Sequence, residues 1–95
     1  MAIAIIADLP GGTAEFDDSM TQRLNLASQP PAGAIARFAG PTEGGWRVIS
    51  VWESDQAWET FRRERLEPAL RQGGGQIPQF QRMNLHSVRV MPQQR

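Results

Sequence analysis

Two side chains, His86 and Arg65, carry most of the chemistry that this sequence can offer. His86 is the single histidine of the chain, and imidazole exchanges protons near neutral pH without help from its surroundings. On a helix with about 100° per residue, Arg65 falls in an apolar stripe with Trp58, Phe61 and Ala69. A guanidinium in that stripe faces the sheet, where it can hold an anionic substrate or stabilise an oxyanion. We therefore predict His86 as a catalytic base and Arg65 as a fixed catalytic cation.

Each of these two residues also has a structural interpretation. His86 shares a predicted strand face with Val88 and Val90, and it can be a hydrogen-bonded packing residue there. Arg65 can lay its methylene groups on apolar surface and pair with an acid such as Glu53 or one from another subunit. The sequence leaves both alternatives open for each residue.

Aromatic side chains are the predicted lining of a substrate pocket. Their rings suit a flat polyketide-like or quinone-like ligand, because stacking adds to the burial of apolar area. Packing in the core is the alternative interpretation of the same rings. Trp58 differs from the others because it shares the stripe of Arg65, and its indole N–H needs a partner when buried. The predicted substrate-binding residues are Trp58, Phe61, Trp52 and Phe38, with Trp46 as a further member of the aromatic set.

Composition excludes several other kinds of site. The chain of 95 residues has ten basic residues, all of them arginine, ten acidic residues, and no cysteine. Without cysteine there is no disulfide, thiolate nucleophile or iron–sulfur ligand, and without lysine there is no Schiff base or Walker phosphate loop. A single histidine cannot build a multi-histidine metal site, so we predict no metal. The balanced charge argues against nucleic acid as a partner.

Hydrophobic periodicity, capping residues and turn residues divide the chain into six elements. In the third predicted strand, alternation places Trp46, Val48, Ser50 and Trp52 on one face and the intervening residues on the other. The predicted elements are a strand at residues 2–8, a helix from Thr13 to near Ser28, strands at 33–40 and 46–52, a helix from Ser54 that Pro68 kinks or interrupts, and a last strand at 85–91.

This order predicts an α+β, ferredoxin-like βαββαβ fold, in which an antiparallel four-stranded sheet carries both helices on one face. We expect a single domain over residues 1–95, with a flexible loop at about 72–82. The central strand then presents large apolar side chains on the uncovered face of the sheet. Monomers rarely leave such a patch in water, so we predict a two-fold homodimer whose sheets pack face to face.

The apolar run Met1–Ala7 raises the question of a membrane segment or a signal peptide. It is far shorter than the roughly 20 residues of a membrane span, and no positively charged segment precedes it. We therefore expect a cytoplasmic protein without a membrane partner.

Two segments of the sequence stand out, Gly45–Ser54 (GWRVISVWES) and Phe61–Leu70, with its pattern F-x-x-x-R-L-x-P-A-L. They resemble small bacterial proteins of the antibiotic biosynthesis monooxygenase-like family, in the dimeric α/β-barrel superfamily. The resemblance extends over most of the chain and implies a dimeric α/β barrel. That superfamily includes oxygenases that need no cofactor, polyketide cyclases and haem-degrading enzymes, so the resemblance specifies the fold better than the reaction.

The resemblance and the candidate residues together favour a small-molecule enzyme. We predict a cofactor-independent monooxygenase or a cyclase that acts on an aromatic, polyketide-like acidic substrate. His86 would deprotonate the substrate, and Arg65 would stabilise the resulting anion in a dry aromatic cavity. The alternative is a non-catalytic dimer that binds a metabolite or a partner protein, and a cavity reached by both residues would favour the enzyme.

Overall fold

Four strands and two helical segments follow one another in the order that the sequence predicts. The structure is a computed structural model and describes residues 1–74 and 77–91. The elements are β1 (Ile3–Pro10), α1 (Ala14–Leu24), β2 (Ala34–Thr42), β3 (Gly45–Trp52), α2 (Asp55–Phe61), a π-helical turn (Arg62–Leu66), α3 (Glu67–Gln72) and β4 (Phe80–Asn84).

The strands form one antiparallel sheet in the order β2-β3-β1-β4. Both helical segments pack on the same face of this sheet, where residues of α1, α2 and α3 join residues of β1 and β3 in one hydrophobic core. This confirms the predicted α+β, ferredoxin-like fold. The core consists of Ile3, Ile5, Met20, Leu24, Trp52, Trp58, Phe61, Ala69 and Leu70.

The N-termini of both helical segments are capped as their sequences predict. The Thr13 hydroxyl accepts a hydrogen bond from the backbone N–H of Phe16 at 3.1 Å, and the Ser54 hydroxyl accepts one from the backbone N–H of Ala57 at 3.2 Å.

The predicted end of α1, near Ser28, is wrong by about one turn. Asn25 adopts the left-handed conformation with φ 58°, which asparagine tolerates, and this ends α1 at Leu24.

The second helical segment is interrupted just before Pro68, as predicted. In the π-helical turn the backbone N–H of Glu67 donates to the carbonyl of Arg62, five residues earlier. Pro68 has no N–H to donate into the previous turn, so it follows this wider turn and sits in the first turn of α3. The result is a continuous helical arm with a change of pitch in its middle.

The prediction of a last strand at residues 85–91 is wrong, and the register of the sheet explains why. Strand β4 pairs with β1 from Phe80 opposite Ala7 to Asn84 opposite Ile3. One further hydrogen bond runs from the backbone N–H of Leu85 to the carbonyl of Ala2 at 2.9 Å. Beyond that point β1 has almost no residues left to pair with, so residues 86–91 form no strand.

The loop predicted at about 72–82 falls partly on Gly75 and Gln76, which lie outside the described residues. Its last residues, from Phe80 onwards, belong to β4. None of the helices within residues 1–74 and 77–91 combines the length and the apolar character that a membrane crossing requires.

The helices cover only one face of the sheet, so the side chains on the two faces differ strongly in solvent exposure. On the face under the helices, Ile3, Ile5 and Trp52 are at most 3% exposed. On the opposite face, Phe38 of β2 and Met83 of β4 remain 59% and 54% exposed. We call this second surface the open face; its apolar members are Ala4, Ile6, Ala36, Phe38, Ile49, Val51 and Met83.

Candidate functional site

A cavity of about 290 Å³ lies between the helices and the covered face of the sheet. Strand β3 contributes every second residue to its wall, Trp46, Val48, Ser50 and Trp52, as the predicted alternation requires. Helix α1 contributes Phe16, Met20 and Leu24 from its apolar stripe, and the segment that follows α1 contributes Leu26, Pro30 and Pro31. The position and lining are those of a small-molecule site: concave, mostly apolar, and bounded by several elements.

Three of the four predicted substrate-binding residues line this cavity. The ring centroid of Trp52 lies 5.6 Å from that of Trp58 and 5.1 Å from that of Phe61, in tilted arrangements. Trp58 also meets Phe80 edge to face at 5.0 Å. All three predicted residues are buried members of the core, so these rings serve both as core and as cavity wall.

The fourth predicted residue, Phe38, lies on the open face and does not line the cavity. An irregularity between Ala34 and Ala36 shifts the register of β2, and Phe38 then pairs with Ile49 of β3. The same shift turns the neighbouring Arg37 toward the helices. A one-residue change in register moves a side chain to the other face of a sheet. Strand β2 therefore directs Arg37 toward the cavity, and not the predicted Phe38.

Two ionisable residues, Asp17 of α1 and Arg37 of β2, occur among the described residues that line the cavity. One guanidinium nitrogen of Arg37, Nη2, donates to Asp17 Oδ1 at 2.5 Å, and Nη1 lies 3.5 Å from Oδ2. The Asp17 side chain is only 13% exposed and that of Arg37 is 34% exposed. A charge-assisted pair therefore sits in an otherwise apolar wall.

The two indoles of β3 that line the cavity differ in hydrogen bonding. Trp52 Nε1 donates to the Ser50 hydroxyl at 2.9 Å, so that donor is satisfied. Trp46 Nε1 is buried and meets no hydrogen-bond acceptor among the described residues. A buried unpaired N–H is costly, and it identifies Trp46 as a donor still available to an acceptor atom.

Arg65 lies outside this cavity, on the side of the helical arm that meets the end of α1. Its Nη2 donates to the carbonyl of Leu24 at 2.5 Å and to that of Gln29 at 3.1 Å, and its guanidinium lies 5.6 Å from the ring centroid of Phe61. The C-terminus of α1 carries unpaired carbonyls and a partial negative charge, which a guanidinium stabilises. Arg65 thus fastens the segment that holds Leu26 and Pro30 over the cavity, and its observed partners are backbone carbonyls rather than Glu53.

His86 lies beyond the end of β4, in the segment that forms no strand, and it is exposed. It is not among the residues that line the cavity. The structure therefore does not bring His86 and Arg65 together at one site in this chain. Their catalytic roles stay a prediction, because within the described chain neither residue faces the apolar cavity.

Comparison with known proteins finds similarity to solved structures. No protein-family model matches the sequence, and neither does any curated protein. A protein of unknown function from Nitrosomonas europaea is 17% identical, with 96% of this chain and 95% of that chain covered and a TM-score of 0.73.

Two further structures carry a described activity. One, described as an antibiotic biosynthesis monooxygenase from Chloroflexus aurantiacus, is 10% identical, with 97% of this chain and 100% of that chain covered and a TM-score of 0.67. The other is a point mutant of SnoaB, a cofactor-independent oxygenase from Streptomyces nogalater, at 12% identity, 92% and 94% coverage and a TM-score of 0.63. The chain has the fold of antibiotic biosynthesis monooxygenase-like proteins. At these identities the likeness concerns the fold, and the activity has to be argued from the site.

Proposed function

We propose that this chain is a subunit of a cofactor-independent monooxygenase that acts on a flat, weakly acidic aromatic substrate in the cavity between the helices and the sheet. The observation that carries the proposal is the cavity itself, about 290 Å³ with an aromatic wall and a single ion pair among its described lining residues. The fold shared with SnoaB supports the same class of reaction. A cyclase acting on the same kind of substrate is the related possibility within this proposal.

The proposed reaction needs a proton acceptor, a site for an anion and molecular oxygen. For an anthrone, the balanced reaction is anthrone plus O₂ to anthraquinone plus water. Removing a proton makes the substrate an electron-rich anion that reacts with oxygen, and an apolar cavity keeps competing water away. Trp52, Trp58 and Phe61 would hold the rings of the substrate by stacking and apolar contact.

The proposal also covers the two residues that the sequence predicts as catalytic, Arg65 and His86. Arg65 holds the segment after α1 through the carbonyls of Leu24 and Gln29, so its proposed effect on catalysis is positional. His86 is exposed beyond β4, and it would reach a substrate only at a site completed by another subunit.

We also propose that the protein is a homodimer that packs through the open face. Phe38, Met83 and their apolar neighbours form a patch of the kind that monomers rarely leave in water. A two-fold axis through this face would bury each patch against its copy. Light scattering should give the mass of two chains, and Phe38→Glu should give the mass of one.

A second candidate function is binding without turnover. It is favoured by the placement of Arg65, whose hydrogen bonds go to backbone carbonyls, and by the cavity cation Arg37, which Asp17 already neutralises. A protein of this kind would hold a metabolite in the same cavity and release it unchanged. Binding of aromatic ligands would then occur without oxygen consumption.

An oxygen-electrode assay with a panel of anthrones and hydroxyquinones tests the enzyme proposal. We expect oxygen uptake by the wild type above the rate in buffer, a reduced rate for Arg65→Ala, and loss of activity in Val48→Phe, which fills the cavity. Ile49→Phe introduces phenylalanine on the opposite face of the same strand, and it should keep the activity when light scattering shows that the variant is still a dimer. Equal rates in buffer, wild type, His86→Ala and Arg65→Ala would leave only the binding function.

A further inference from the structure

The pair formed by Asp17 and Arg37 places two charges in the wall of an apolar cavity. Both residues line this cavity, and the pair links the first turn of α1 to β2 across 20 residues of sequence. An apolar pair of similar volume would often stabilise such a position equally well or better, because taking two charges out of water costs free energy. A charged pair in a cavity wall therefore offers groups that can recognise a ligand.

From this geometry we infer that Asp17 and Arg37 form the polar end of the substrate site, where they select a neutral hydroxyl or enol oxygen on an aromatic ring and discriminate against carboxylates. This inference rests on the proposed function, since it names the substrate class and the catalytic groups for the same cavity. It assigns the base and the cation to two residues that do line the cavity.

Hydrogen-bonding capacity supports a hydroxyl ligand. A guanidinium has five N–H donors, and the hydrogen bonds of Arg37 within the described chain go to Asp17 from Nη1 and Nη2. Donors remain for a second acceptor. The Asp17 carboxylate has further lone pairs that can accept an O–H. A phenol or enol oxygen placed between them would donate its proton to Asp17 and accept hydrogen bonds from Arg37.

Electrostatics argues against a carboxylate in the same place. The pair is neutral as a unit, so a ligand carboxylate would bring a second negative charge beside Asp17 without a new cation to balance it. In an apolar cavity two like charges at close range are strongly unfavourable. The site therefore selects by repulsion as well as by attraction.

The chemical step that follows is a proton transfer. The O–H bond of the substrate breaks, an O–H bond forms on Asp17, and the electron pair stays on the substrate oxygen. Protonation removes the negative charge of Asp17, and the substrate oxygen now carries that charge. Arg37 then stabilises this oxyanion in place of the Asp17 carboxylate. Because Arg37 lies on the edge strand β2 opposite Ser50 of β3, the oxyanion would lie beside the part of the cavity wall that β3 forms.

Calorimetric titration with 2-naphthol and 2-naphthoate tests the inference without requiring turnover, because the two ligands share a ring system and differ in charge. We expect wild type to bind 2-naphthol at least about tenfold more tightly than 2-naphthoate, the factor that a charge-assisted hydrogen bond supplies. Asp17→Asn keeps the shape and removes the negative charge, so it should weaken 2-naphthol and strengthen 2-naphthoate. Asp18→Asn, an exposed neighbour on α1 that does not line the cavity, is the matched control and should bind like wild type.

Tighter binding of 2-naphthoate by wild type, no binding of either ligand at millimolar concentration, or an unchanged preference in a folded Asp17→Asn variant would each overturn the inference. The outcome is separable from that of the oxygenase proposal. The expected preference without oxygen uptake on anthrones would retain the inference and reject the enzyme. Oxygen uptake that Asp17→Asn leaves unchanged would retain the enzyme and reject Asp17 as its base.

Discussion

The two faces of the sheet each carry an arginine–aspartate pair, and the pairs differ in surroundings rather than in chemistry. On the covered face Arg37 binds Asp17, with the carboxylate side chain 13% exposed. On the open face Arg47 binds Asp8 at 2.6 Å, with side chains 49% and 45% exposed. Water screens much of the attraction within the second pair, while the first pair meets an apolar cavity. The same two residue types therefore have different consequences, and burial decides which pair affects stability and ligand choice more strongly.

The largest expected difference between the faces concerns their aromatic residues. Trp52→Ala removes a side chain that is 3% exposed and contacts Trp58 and Phe61, so we expect a loss of about 3–5 kcal/mol in unfolding free energy. Phe38→Ala on the open face should cost about 0.5 kcal/mol or less when the protein is dilute.

Urea unfolding at two protein concentrations measures both values. If the open face pairs two chains, the cost of Phe38→Ala should grow with concentration, while that of Trp52→Ala should not. Equal losses at low concentration would contradict the contrast between the faces.

The next largest effect concerns the two ion pairs. Arg37→Gln leaves the Asp17 carboxylate largely buried without its cation, so we expect a loss of about 1–2 kcal/mol. The same change at Arg47 leaves Asp8 half exposed to water, so it should lower the melting temperature by much less than Arg37→Gln does. Thermal unfolding of the two variants side by side checks this, and a larger shift for Arg47→Gln would reverse the assignment of the covered pair.

The sequence predicts the fold well because its strongest signals are local. The alternation of β3 assigns Trp46, Val48, Ser50 and Trp52 to one face, and the structure places all four at the cavity. Thr13 and Ser54 cap their helices as their side chains suggest. These features depend on neighbouring residues, so tertiary contacts have little opportunity to override them.

The polar part of the site could not be predicted in the same way. Asp17 falls in the stripe of Phe16, Met20 and Leu24, but an acid near a helix N-terminus already has a local explanation. Arg37 faces the helices only because β2 is irregular between Ala34 and Ala36, and no local pattern gives that register.

The end of the chain shows the same limit. Residues 85–91 have the composition of a strand, but pairing ends where β1 ends, near Ala2. Which residues of a strand find partners depends on register, and register is a property of two segments together. Composition alone places His86 on a strand, and this is why its predicted position is wrong.

The smallest expected effect is the pH dependence of the open pair. Hydrogen bonds from Arg47 lower the pKa of the Asp8 carboxyl below its ordinary value. A carboxyl with a lowered folded pKa adds stability above its unfolded pKa and loses that contribution as the pH falls through the folded value. Asp8→Asn should therefore be slightly less stable than wild type near pH 6, and the gap should begin to narrow below about pH 4 and close as the pH falls through the lowered folded pKa.

Urea midpoints of wild type and Asp8→Asn at pH 6 and pH 3 measure this gap, with Asp18→Asn, for which the structure gives no ion pair within the described chain, as the control. The direction of the stability difference is what tests the prediction. A largely screened pair contributes little at any pH, but its contribution must be larger at pH 6 than at pH 3. A gap that is as large at pH 3 as at pH 6 would mean that the Asp8 side chain stabilises the open face by something other than its charge. Solvent exposure would then not explain why the two ion pairs differ in their contribution to stability, because the pair on the open face would not respond to the loss of its negative charge.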